Sequence, residues 1–116
     1  MSEVQVQIRE LEAQLSQAKH IAGHKQMALK LSNNREFRTL ILDEFCKEEC
    51  ARYAQASSDP ALSAENRADA LAMAQAAGHL RRWLSVKVQM GATAERDIAE
   101  VEAALEEARA EEDAQA

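Results

Sequence analysis

Apolar residues in the first thirty positions recur four and three apart, at Val4, Ile8, Leu11, Leu15, Ala18 and Ala22. That spacing is a heptad seam on an α-helix. The series reaches Leu29 through Lys25, and a cation at a seam position close to Gly23 is expected to weaken pairing or to let the helix bend. Ser2 and Gln5 stand three apart as a capping box, so the first helix is expected over about residues 3–31. A second series, Ala77, Leu80, Leu84, Lys87, Gly91, Ala94, Ile98, Val101, Leu105 and Ala108, keeps one register. It predicts a single long helix over about 64–110, opened by Ser63 and kinked, if anywhere, at Met90-Gly91. Residues 111–116 lie beyond the seam and are expected to fray.

Between the two seams, Ser32-Asn33-Asn34 interrupts the pattern, and Asn33 with Glu36 repeats the capping logic. A second helix is therefore expected over about 35–56, closed by the turn signal Ser57-Ser58-Asp59-Pro60. Its apolar positions Phe37, Leu40, Ile41, Leu42, Phe45, Cys46 and Cys50 cover more than half the circumference, the pattern of a helix buried on several sides. From Ala68 to Gly78 small residues occupy nearly every face, which lets backbones approach closely.

Only three Gly and one Pro occur in 116 residues, which leaves almost no turn chemistry and argues against a sheet built from hairpins. The fold class expected is all-α: an elongated three-helix subunit with heptad-patterned N- and C-terminal helices, one domain over 1–116, completed by oligomerisation. Aromatics are 3% of the chain, so the apolar fraction is mostly Ala and aliphatic, and a core of such small side chains leaves a monomer marginal. The seam residues Val4, Ile8, Leu11, Leu15, Leu80, Leu84, Ile98, Val101 and Leu105 are the expected self-association surface. The same pattern allows the first helix to pair with the end of the third inside one chain, and periodicity does not choose between the two.

The formal charge of −6 is uneven: Ala92 to Ala116 holds nine acidic residues against Arg96 and Arg109. Lys19 to Arg38 holds five basic residues against Glu36 alone. A basic contact surface is expected from Lys25, Lys30, Arg35, Arg38, Arg81, Arg82, Trp83 and Lys87, facing an acidic partner. Nucleic acid is a second choice for that surface, because chains that bind it by electrostatics are usually basic overall. In the cluster His79-Leu80-Arg81-Arg82-Trp83, helical spacing turns Leu80, Trp83 and Leu84 inward and leaves the cations on the flank. No run approaches the roughly 18 consecutive apolar residues of a membrane span, and the first residues show neither the basic start nor the apolar stretch of a signal peptide. Neither a membrane anchor nor secretion is expected.

For chemistry the inventory is short. His20 and His24 stand four apart, as do Cys46 and Cys50, and these two pairs, on different helices whose facing the sequence does not give, are the only weak metal candidates, a Cys₂His₂ zinc site. Reduced thiols packed as small hydrophobes are the favoured reading, with no metal and no cofactor. No glycine-rich phosphate loop and no organised nucleophile with its base is visible, so no catalytic residue is assigned and no enzyme is expected.

The run Asn34-Arg35-Glu36-Phe37, Leu40-Ile41-Leu42 and Phe45 to Tyr53, followed by Asp59-Pro60, Gly78-His79-Leu80, Trp83-Leu84 and Gly91, resembles small helical proteins of tailed double-stranded DNA phages. The resemblance covers roughly Leu29 to Ala108. It implies a non-enzymatic structural or assembly component of a phage particle, beside head, portal or packaging proteins, located in the virion or the host cytoplasm. A small phage-encoded adaptor or inhibitor that binds a host protein or nucleic acid is the alternative. A DNA-packaging recognition subunit ranks third, since no compact helix-turn-helix with a short glycine turn is visible.

Overall fold

A computed structural model describes residues 2–116 of the chain. The described residues are all-α, with no strand. Helix α1 spans Glu3–Ser32. A short α2 (Arg35–Phe37) passes into a π-helical stretch, Arg38–Glu49, and then into α3 (Cys50–Ser57). Right-handed helical dihedrals at Arg38 and Cys50 make these one uninterrupted middle helix. Helix α4 spans Ala64–Gln115, 52 residues with no positive-φ residue among those described.

Local chemistry sets the ends. The Ser2 backbone N–H donates to Gln5 Oε1 at 3.1 Å and the Gln5 N–H donates to Ser2 Oγ at 3.1 Å, a complete capping box. The middle helix is capped by Asn34, whose Oδ1 accepts from the Phe37 N–H at 2.9 Å, rather than by Asn33 as the spacing to Glu36 suggested. Asp59 Oδ1 accepts from the Ala61 N–H across Pro60, and Ser63 Oγ accepts from the Asn66 N–H at the start of α4.

Two compact units partition the chain: residues 1–27 with 87–116, and residues 28–86. In the first unit α1 and α4 run antiparallel, since Glu12 meets Arg109 while Lys25 meets Glu95. The buried cluster there is Val4, Ile8, Leu105 and Ala108, with Leu11, Leu15 and Val101 packed against it. All of these but Ala108 are seam positions assigned to self-association from the sequence, and here they meet within a single chain. Intramolecular pairing avoids the translational entropy that a subunit interface costs. The helix also does not stop where the seam ends: α4 continues through the acidic residues to Gln115, because its last turns lie alongside the first turns of α1, where Glu112 lines a surface depression with Ile8 and Arg9.

In the second unit the middle helix packs on α4 through small residues. Ala77 is fully buried, and the Cys46 and Cys50 thiols lie 3.8 Å and 3.5 Å from the Ala77 and Ala74 carbonyl oxygens. The covered face of α4 is Ala70, Ala77 and Leu84, seven residues apart. This corrects two expectations. Only Cys46 is buried in the π-helical stretch, and Leu40 is 58% exposed, so the middle helix is covered on one side rather than several. Its i→i−5 turns, such as the Cys50 N–H to Phe45 carbonyl bond, also distribute side chains differently from a 3.6-residue turn. Trp83 is 57% exposed and does not face inward, because it lies one residue, about 100° around the helix, from Leu84 on the covered face.

Candidate functional site

The tightest point of the first unit is where α1 crosses Gly91. A Cβ built there would fall 2.1 Å from Lys25 Cβ, so the two backbones approach as closely as glycine allows. Gly91 therefore lies on the seam, within a helix that runs unbroken from Ala64 to Gln115. Lys25 lies at this crossing with its charge directed to the edge. Its stem lies over Gly91, and its Nζ donates to Glu95 Oε2 at 2.8 Å, while Gln26 Nε2 donates to Glu95 Oε1 at 3.2 Å. The snorkelling Lys covers apolar contact with its methylenes and keeps its charge at the edge.

The hydrogen bond from Lys25 holds the Glu95 carboxyl below the usual glutamate range, against an opposing effect of desolvation; the Lys25 charge and the Gln26 amide add to the lowering. A depressed carboxylate stabilises the fold above the ordinary glutamate range, and that contribution is lost as pH falls through the folded value. Thermal melts at descending pH are expected to show a shallower acid limb for Glu95→Gln than for the parent chain. Superimposable acid limbs would remove Glu95 from the account of acid stability.

Beside this crossing runs a groove of about 790 Å³ between α1 and α4. Ala18, Ile21, Ala94 and Val101 form its floor, Met90 stands at one end, Gln14 and Gln17 line the α1 side, and Thr93, Asp97 and Glu100 line the α4 side. Its apolar floor exists because two paired helices cover only one stripe of each other. Sequence reasoning did not single out this groove, because its residues come from both helices and Asp97 and Glu100 counted only toward the acidic charge of the last helix.

The residues expected to form a basic surface divide between the two units. Lys25 is committed to Glu95, and Lys87 is half-buried. Lys30, Arg35, Arg38, Arg81 and Arg82 are exposed in the second unit. That unit holds eight basic and eight acidic residues, while the first holds six basic and twelve acidic, so the whole net charge of the chain sits on the first unit. Such a balance gives phosphate backbones little long-range attraction.

Of the weak metal candidates, His20 and His24 pack ring to ring with centroids 4.4 Å apart, and Cys46 and Cys50 are free thiols directed at carbonyls of α4. Among the described residues no three His, Cys, Asp or Glu side chains come together in a group that could hold a metal ion. Burial pushes the Cys46 thiol pKa up, partly opposed by the Arg81 charge and reinforced by Cys50. Cys46 is 4% exposed and Cys50 half-buried, so maleimide is expected to label Cys50 first and Cys46 only when the second unit opens. Equal labelling rates in the native protein would contradict this packing.

No known protein family, curated protein or solved structure matches the chain. None of the described helices is long and apolar enough to cross a membrane.

Proposed function

We propose that the protein is a non-enzymatic assembly component that forms oligomers and joins a larger particle through its outer helical faces. The observation that supports this most is how the chain divides its apolar surface. The seam residues meet inside one chain, yet Leu40, Trp83 and Met27 are 57–63% exposed and no large side chain among those described is completely buried. A chain this size with so thin a core gains most of its remaining stability by covering such residues with partners. Self-association is then assigned to the outer faces, not to the heptad seams. The setting in a tailed-phage particle, in the virion or the host cytoplasm, rests on the resemblance of the central run to small phage proteins.

Light scattering across a wide concentration range tests the proposal. The expected result is a fixed multiple of the 12.8 kDa chain mass. A monomer at every concentration overturns self-assembly. It would favour the adaptor reading, in which one chain binds one partner of another kind, and for which the apolar groove with acidic residues on one side is the specific support.

A further inference from the structure

We propose that the groove between α1 and α4 docks a cationic amphipathic helix of another protein. The inference rests on the assembly reading and names the partner chemistry for one of its surfaces. An open trough between two antiparallel helices is the position a third helix takes in a bundle, and the small floor residues Ala18 and Ala94 let its backbone come close. Ile21, Val101 and Met90 offer contact for side chains spaced i, i+3/i+4 and i+7 on the incoming helix. Charge decides the occupant. No basic residue lines the groove itself, Arg96 reaching only its edge through a 3.3 Å bond to Thr93, while Asp97 and Glu100 border its α4 side and the unit that contains it holds twice as many acidic as basic residues. Lys or Arg beside the apolar stripe of the incoming helix would meet those carboxylates and speed its encounter. A second copy seated groove to groove would instead set Asp97 and Glu100 against their own counterparts and one acidic unit against another, which like-charge repulsion disfavours.

The probe is a synthetic helix of about five turns, roughly 18 residues, with a Leu stripe flanked by Lys. A control peptide carries Glu in place of every Lys. Methionine methyl resonances report the docking site, because Met90 lines the groove while Met27 and Met73 are exposed elsewhere. The expected result is a Met90 shift that saturates at one Lys peptide per chain, with Met27 and Met73 unmoved. Asp97→Lys with Glu100→Lys should weaken binding about tenfold or more, whereas Glu107→Lys with Glu111→Lys, an equal change in charge outside the groove, should have a several-fold smaller effect. Should the first pair fail to fold by circular dichroism, Thr93→Trp fills the groove from an exposed position and is expected to abolish the Met90 shift.

Three results would overturn the proposal: the Glu peptide binding as tightly, both charge pairs weakening binding equally, or Met27 or Met73 shifting in place of Met90. A Met90 shift that grows with protein concentration in the absence of peptide also overturns it and assigns the groove to a second copy. The two readings fail separately. An oligomer whose Met90 does not respond loses the groove alone, and a monomer that binds the peptide at Met90 loses self-assembly alone.

Discussion

Gly91→Ala is expected to destabilise the first unit by about 3 kcal/mol or more, a large fraction of the stability of a small domain. The added methyl would sit 2.1 Å from Lys25 Cβ. That atom is fixed to the backbone and has no rotamer to escape into, so the helices themselves must separate and loosen the neighbouring Lys25–Glu95 pair at 2.8 Å. Overpacking that cannot be relieved by a side-chain movement falls at the upper end of its usual cost. The measurement is a thermal or urea melt, with a fall in Tm of roughly 10 °C or more.

The same substitution at Gly23 or Gly78 should act in the opposite direction, because a Cβ there meets nothing within 4 Å. Alanine in an open helical position is better than glycine by roughly 0.5–1 kcal/mol. Lys25→Gly combined with Gly91→Ala should relieve the clash but recover only part of the loss, because it also removes the Lys25–Glu95 pair and places a glycine inside α1. If Gly91→Ala were as stable as Gly23→Ala, the close crossing of α1 and α4 would be wrong.

Leu105→Asp is expected to open the pairing of α1 with α4. Leu105 is 2% exposed and packs with Val4, Ile8 and Ala108, so a carboxylate there loses its hydration, and Arg109, one turn on, is already engaged with Glu12 at 3.5 Å. The cost expected is on the order of 3–5 kcal/mol. Leu15→Asp, at a half-buried position of the same packing, should cost less. The concentration dependence carries the sharper information. Because the contacts of Leu105 lie in its own chain, its contribution should be independent of protein concentration, whereas a subunit interface would lose more stability on dilution. A loss that deepens on dilution would return the seam to the intermolecular role first expected for it.

Much of the secondary structure was legible in the sequence because its determinants are local. Ser2 with Gln5, Ser63 and the Asp59-Pro60 turn act over two or three residues, and the structure uses each as its spacing implies. The heptad positions Val4, Ile8, Leu105 and Ala108 were legible for a related reason, since spacing along one helix already states which residues share a face. Where local signals competed they decided less. Asn33 and Asn34 offer nearly the same cap, and only the backbone geometry selected Asn34.

The sequence by itself therefore determined an all-α chain, the two turns that divide it, and the apolar stripes of α1 and α4. Tertiary structure decided which stripe met which partner, because periodicity describes one helix at a time and carries no information about the neighbour. It paired the seams within one chain, brought Gly91 onto Lys25 and directed Lys25 to Glu95, so that residues suspected of weakening or bending the seam became its closest contact. It also left Leu40 and Trp83 at the surface, since only one side of the middle helix and one stripe of α4 find cover in the second unit. The groove beside Ala18 and Ala94 is likewise a product of pairing alone, as its walls come from two segments far apart in the chain, one before Ala22 and one after Gln89.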